Sequence, residues 1–378
     1  MSKKIVLLNT WHNSFDDRVF YHQAKSLTES GYNVMIISTK EEMIKELGNT
    51  TINSFNDSHL NRNDKIKKII DYLDSFSPDS IVCDSPLAVT ASYKYKKNHP
   101  VKIVYDITEW YPSKIHLQYT KGIKKLFRFF ALVLVNLSAG FKSDSFIFGE
   151  YYKSIEYRIL FCWKPFARLP YYPDTSYIQC YPLEKITTQI NLLYSGKINR
   201  DKGIDTVFKA IKLAGSKCPE IQFKLKIIGN FPTLEDQSFY ADMTSRQAEN
   251  IHISIVDSLP FPEFCKTIGN THLFFDLRKR DFENTHCLPI KLFYYLGCGR
   301  PVIYSDLKAI RKEVRNINFG HLCNPNDIDS VAGHIMDYIN QPGLYTEHAT
   351  NALNISKTKY NWNTIENDFI SFIDSQSK

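Results

Sequence analysis

The sequence predicts an α/β fold in two halves, each built on a parallel sheet covered by helices. Three observations predict it. Continuous apolar runs such as "KIVLLNT" recur along the chain, as in strands buried on both faces. Segments with helical apolar spacing follow them. The whole alternation then restarts after a Pro- and Tyr-rich interval, "KPFARLPYYPDTSYIQCYP", and strand–helix–strand alternation is the mark of parallel pairing.

In the first half, "KIVLLNT" is the opening strand and "DDRVFYHQAKSLTESG" a helix, with Val19, Phe20, Ala24 and Leu27 on one face and Gly31 at its end. "YNVMIIST" is the next strand. "KIKKIIDYLDSFSPDSIVCDSP" repeats helix then strand, and "VKIVYDITEW" supplies another strand. After the linker, placed over residues 168–186, "INLLYSGKI" reads as a strand, "GIDTVFKAIKLAG" as a helix and "FKLKIIGNF" as a strand. "PVIYSD" is a later strand, and helical segments close the chain. The domains are therefore expected at 1–180 and 187–355, with a helical segment over 356–378 packing back on the first. No repeat of solenoid period is present.

The chain of 378 residues is long enough for about two domains at roughly 150 residues each. Its 43% hydrophobic and 23% charged residues are ordinary for globular proteins. The net charge of +7 is spread among acids, which suits an anionic small molecule or an anionic membrane surface. Nucleic acid is not expected as a partner. The eight cysteines include no C-x-x-C pair, so reduced thiols are expected and a structural zinc site is not. "MSKKIVLLNT" shows no signal-peptide pattern, and a cytoplasmic location is expected.

In open α/β sheets ligands bind beyond the carboxyl ends of the strands. The first such loop, "NTWHNSFDDR", lacks a G-x-G-x-x-G fingerprint, which disfavours a dinucleotide site there. Asp16 and Asp17 suit helix capping or acceptor contacts, and Arg18 is either a surface residue or part of a site. In "YSGKINRDKGID", Gly196 allows close approach to the backbone, while Lys197 and Lys202 flank a loop entering a helix. Two ammonium groups beside a helix N-terminus can hold a diphosphate and stabilise it as a leaving group; two solvated lysines are the alternative.

"NLLYSGKINRDKGIDTVFKAI", "FKLKIIGN" and "LPIKLFYYLGCGRPVIYSD", in that order, resemble the donor half of retaining GT-B glycosyltransferases of family 4. "FDDRVFYHQAKSLTESGYNVMII", "KIVYDITEWYP" and "LPYYPD" resemble segments of bacterial polysaccharide members. The resemblance spans nearly the whole chain. It implies two Rossmann-like domains facing across a cleft, transfer from a nucleotide diphosphate sugar to a glycan or lipid-linked acceptor, and no required metal or other cofactor. It also implies that Gly196 lies near the donor phosphates, that Lys197 replaces the usual arginine, and that Lys202 is the family's lysine.

The sequence departs from that family at three further positions. The pair of glutamates that precedes the Gly-x-Pro-Val strand in the family falls here on His286 and Tyr294. A tyrosine hydroxyl can still meet the ribose, though not as a bidentate acceptor. Glu283 is a substitute carboxylate on the sugar side. In "YDITEWYP" Thr108 stands where the family's histidine is common, between Asp106 and Glu109, so these three residues are the catalytic candidates. On the acceptor side the candidates are Asp17 and Arg18. The departures leave room for a nucleotide-sugar epimerase of the same architecture, or for a non-catalytic nucleotide-sugar-binding partner.

"KGIKKLFRFFALVLVNLSAGF", Lys121 to Phe141, has its longest apolar run over Phe129–Val135. That is far below the roughly 18–20 residues that span a bilayer. Basic residues ahead of an apolar helix suit a segment lying in the membrane interface, or a buried helix with a solvated end.

Overall fold

The computed structural model describes residues 2–182, 184–245, 247–314 and 318–376. The chain folds as two units: residues up to Tyr171 together with those from Ile365 onward, and Tyr172–Thr364.

The first unit holds an eight-stranded sheet in the order β3-β4-β2-β1-β5-β6-β7-β8. Its strands are β1 (Lys4–Asn9), β2 (Asn33–Ser38), β3 (Met43–Leu47), β4 (Thr50–Ser54), β5 (Ser80–Cys83), β6 (Lys102–Ile107), β7 (Ser145–Phe148) and β8 (Phe166–Arg168). All pairs are parallel except the β3–β4 hairpin. The apolar run of β1 pairs with β2 on one side and β5 on the other, which is why it reads as apolar without alternation. A π-helical turn over Asp17–Ala24 leads into α1 (Lys25–Glu29). The remaining helices are α2 (Arg62–Phe76), α3 (Pro86–Lys96), α4 (Lys114–Leu117), α5 (Gly122–Lys142) and α6 (Tyr151–Leu160).

The second unit has six strands, all parallel, in the order β11-β10-β9-β12-β13-β14. They are β9 (Gln189–Ser195), β10 (Gln222–Ile228), β11 (Ile251–Val256), β12 (Leu273–Asp276), β13 (Val302–Ser305) and β14 (Gly320–Cys323). Its helices are α7 (Ile204–Lys217), α8 (Leu234–Ser245), α9 (Phe261–Ile268), α10 (Phe282–His286), α11 (Ile290–Gly297), α12 (Lys308–Glu313), α13 (Ile328–Asn340) and α14 (Pro342–Thr358). The last helix of the chain, α15 (Glu366–Gln376), belongs to the first unit.

The boundaries differ from those read in the sequence. Residues 172–180, expected in the first domain, belong to the second unit. The Tyr172 ring packs edge-on against Phe293 at 4.9 Å and Tyr360 at 5.3 Å, and Trp362 N–H donates to the Pro173 carbonyl. Arg300, which is buried, donates to the carbonyls of Thr271, Cys298, Gly299, Tyr181 and Pro182. Its five donors clamp the expected linker to the turn ahead of β13. At the other end, 356–364 stays with the second unit. The chain joins the first unit only from Ile365, where Lys3 Nζ meets Asp374 Oδ1 at 2.9 Å.

Candidate functional site

In the second unit the site grows from the carboxyl end of β9. Gly196 follows it with φ +132°, and a Cβ there would lie 3.2 Å from Lys291 Nζ. A Cβ at Gly229, after β10, would lie 1.8 Å from the Gly196 carbonyl oxygen, so the two strand-end loops meet backbone to backbone and both positions require glycine. Tyr194 Oη donates to the Lys197 carbonyl at 2.7 Å, which fixes the loop, while the Lys197 side chain stays exposed.

Lys202 closes the same loop and is half-buried. Its Nζ donates to Asn284 Oδ1 at 3.0 Å. Asn284 in turn donates to the carbonyls of Lys279 and Asp201 and to Asp281 Oδ2, so its acceptor oxygen is held towards the ammonium group. Burial, followed by the nearby Arg278 guanidinium, lowers the Lys202 pKa. A half-buried cation destabilised by a second cation is electrostatically prepared for an anion. Lys291, on the first turn of α11, brings another ammonium group to the opposite end of the loop at Gly196. Sequence reasoning missed Lys291, because nothing in its spacing from Gly196 reveals the contact.

The other donor-side candidates are placed differently from one another. Glu283 and His286 lie on the short helix α10, both half-buried, and His286 Nδ1 is 2.8 Å from the Phe282 carbonyl oxygen. Tyr294, read as a ribose contact, is only 2% exposed. Its ring packs edge-on against Phe261 and Phe264, each at 5.8 Å, which leaves little of it for a ligand. The ring is part of the packing of α11.

In the first unit the candidates lie at the carboxyl end of β6 and at the start of the π-helical turn after β1. Asp106 is 3% exposed. Arg18 grips it through Nε–Oδ2 at 3.0 Å, Nη2–Oδ1 at 2.9 Å and Nη2–Oδ2 at 2.8 Å. Gln23 Nε2 adds a bond at 2.9 Å, and the Arg18 guanidinium lies 3.9 Å from the centroid of the Tyr171 ring. Asp106 and Arg18, read in the sequence as a catalytic and an acceptor-side candidate, are thus paired with each other, and Arg18 Nη1 is buried with no hydrogen-bond partner among the described residues. Together they pin the π-helical turn to β6. Asp17 Oδ1 accepts from the Arg18 N–H, and Asp16 caps the turn through the N–H groups of Arg18 and Val19, so the capping reading holds for this pair of acids.

Thr108 and Glu109 follow β6. Thr108 Oγ1 is buried and has no hydrogen-bond partner among the described residues, while Lys153 Nζ donates to the Thr108 carbonyl. Lys153 is itself buried beside Glu150, N to O at 3.4 Å. Glu109 is exposed. Two half-buried acids lie near β1 and β5, of which Asp84 is not singled out in the sequence. Burial, and then Asp17, pushes Asp16 up to about 6, and burial pushes Asp84 up to about 6. Asp84 Oδ2 accepts from the N–H groups of Thr10 and Trp11 at 2.8 and 3.1 Å.

Residues 182–355 match the family described as glycosyl transferases group 1. The match indicates a glycosyltransferase enzyme. It covers the β9–β13 framework that carries Gly196, Lys202 and Lys291. No curated protein matches the chain. Among solved structures, sucrose-phosphate synthase from Thermosynechococcus elongatus is similar with a TM-score of 0.75 at 14% identity, covering 99% of this chain and 98% of that one. An E. coli trehalose-6-phosphate structure bound with UDP-2-fluoro glucose has a TM-score of 0.72 at 11% identity, over 100% and 99% of the two chains. The Anabaena protein HepE in complex with UDP-glucose gives 0.69 at 12%, over 98% and 99%. The two-unit architecture is that of the GT-B glycosyltransferases.

Proposed function

We propose that the protein is a retaining glycosyltransferase of family 4. It moves a sugar from a uridine diphosphate sugar to a glycan or lipid-linked acceptor in surface polysaccharide biosynthesis, at the cytoplasmic face of a membrane. The observation that carries this reading is the pair Lys202 and Lys291 at the two ends of the Gly196 loop. The leaving diphosphate gains negative charge as the glycosidic bond to the sugar breaks, and preorganised cations stabilise that charge more than the ground state. No metal is invoked in this scheme, because the ammonium groups supply the positive charge. Uridine is favoured because the E. coli and Anabaena structures hold uridine diphosphate sugars. Glu283 and His286 are assigned to the sugar hydroxyls. Glu109, exposed after β6, is assigned to orient the acceptor, with Thr108 beside it.

Lys202→Ala and Lys291→Ala should each weaken uridine diphosphate binding by about 1.5–3 kcal/mol, the scale of a charge-assisted hydrogen bond. Calorimetry measures this, and unchanged affinity in both variants would remove the diphosphate from this loop. The pH dependence has a definite sign. Lys202 is easier to deprotonate in the free protein, and a bound diphosphate favours its charged form. Affinity should therefore fall as pH rises through the lowered pKa, and Lys202→Ala should flatten that slope.

The membrane reading rests on α5. Its 21 residues bury only Asn136, Ala139 and Gly140, while Ile123 is 70% exposed, Phe127 69% and Leu134 66%. Among the described residues no helix is long and apolar enough to cross a membrane. The apolar surface continues past the end of α5, where Phe141 packs on Phe161 at 5.0 Å and Phe161 on the exposed Trp163 at 5.9 Å. A patch of this kind beside Lys121, Lys124, Lys125 and Arg128 suits a helix lying in an anionic interface. Replacing Lys124, Lys125 and Arg128 with glutamine should reduce co-sedimentation with phosphatidylserine vesicles roughly 100-fold, at about 1 kcal/mol per charge. Equal sedimentation of wild type and variant would refute electrostatic docking through this helix.

A further inference from the structure

We propose that His321, His334 and Asp337 form a binding site for a divalent transition-metal ion of the zinc class. They lie on β14 and α13, elements that carry none of the donor-site residues. His334 and Asp337 are three apart on α13 and so share a face of the helix. His321 projects from β14, the edge strand, and its ring stacks on that of His334 with centroids 4.0 Å apart and planes within 5°. One nitrogen from each imidazole and one carboxylate oxygen lie within 4.8 Å of one another, the only such group of three among the described residues.

Both imidazoles address the same oxygen. His334 Nδ1 is 3.3 Å from Asp337 Oδ2, and His321 Nε2 is 3.9 Å from it. His321 Nε2 is buried and has no hydrogen-bond partner among the described residues. A bare nitrogen there faces a carboxylate oxygen lone pair to lone pair, and a protonated one is too far to donate; a cation between them answers both. The other nitrogen of His334, Nε2, lies 3.2 Å from Ser330 Oγ. Nδ1 is itself within hydrogen-bond distance of Asp337 Oδ2, and the tautomer that donates from Nε2 to the Ser330 hydroxyl leaves the Nδ1 lone pair for an ion, the arrangement that orients metal-binding histidines.

The chemistry of the donor set selects the ion. Two imidazoles and one carboxylate suit zinc, cobalt or nickel, whereas magnesium and calcium prefer all-oxygen sets. Zinc–nitrogen and zinc–oxygen bonds of about 2.0–2.2 Å need His321 Nε2 nearer Asp337 Oδ2 than 3.9 Å, and the two imidazoles have to turn out of their parallel stack so that both ring planes meet at the ion. All three residues are partly exposed, so water can complete the shell. The ion would tie the edge strand to the helix that covers it.

The test uses the full chain, stripped with EDTA and titrated with zinc chloride or cobalt chloride. The expected result is one equivalent bound and a rise in melting temperature. The cobalt form should show weak visible ligand-field bands without the intense charge-transfer absorption of thiolate ligation, which separates this site from the exposed Cys162 and Cys180. His334→Ala and Asp337→Asn should each weaken binding at least about tenfold, while keeping the melting temperature in EDTA and the affinity for uridine diphosphate. Absence of saturable binding, thiolate bands, or wild-type affinity in both variants would overturn the proposal. The nucleotide measurement is independent of it, so failure of the donor-site reading would leave this result intact.

Discussion

Arg18→Leu is expected to destabilise the first unit by about 3–5 kcal/mol, the usual effect of stranding one partner of a buried ion pair. Asp106 is almost wholly buried, and its carboxylate accepts from Arg18 and Gln23. Removing the guanidinium leaves that charge with only the neutral Gln23 amide among these donors. Arg18→Lys keeps the positive charge but loses the planar fork and the stacking on Tyr171, so it should recover only part of the loss. The double replacement Arg18→Leu with Asp106→Leu should be more stable than Arg18→Leu alone, because it strands no charge. Urea unfolding of the variants decides the matter. If Asp106 acted instead as a catalytic group, Asp106→Asn would abolish transfer at unchanged stability. The expected pattern is the reverse in emphasis: a stability loss first, and an activity loss only as far as the β6 end is displaced.

The contrast between Asp106 and Lys202 shows what the sequence could disclose. The strand "KIVLLN" is legible because both faces of β1 are covered, and β13 is legible for the same reason, whereas β11 and β14, largely exposed edge strands, are not read from the sequence. The β3–β4 hairpin is not. "MIKEL" is rich in helix-forming residues and mostly exposed, and it becomes a strand only by pairing with β4. Lys202 is legible because a strand, a glycine and a helix start lie within one short segment. Lys291 reaches the same site from another element, so no local pattern announces it. Asp106 and Arg18 were recognised as charged groups at strand and helix ends, but their pairing is tertiary. A buried ion pair and a free catalytic carboxylate look the same in sequence.

The tyrosines of α11 give the second large effect. Tyr295 is fully buried, stacked on Phe274 at 4.2 Å with planes within 5°, and its hydroxyl lies 2.5 Å from Ser195 Oγ. Tyr294, its neighbour, is buried in a different aromatic group, between Phe261 and Phe264. Adjacent helical positions point about 100° apart, so both can be buried only where the helix is covered on two sides, and here α14 also packs on α11. Tyr295→Ala and Tyr294→Ala should therefore each cost about 3–5 kcal/mol of stability, as for other buried aromatic rings cut to alanine. The phenylalanine variants separate their roles. Tyr295→Phe leaves the Ser195 hydroxyl without this partner at the entrance to the Gly196 loop, and should cost about 1–3 kcal/mol of stability. Tyr294→Phe keeps the ring contacts, so it should change stability less, and should leave uridine diphosphate affinity within about twofold if Tyr294 is a packing residue. Calorimetry and thermal unfolding on the four variants give both quantities. A clear loss of nucleotide affinity in Tyr294→Phe at unchanged stability would return Tyr294 to the ribose.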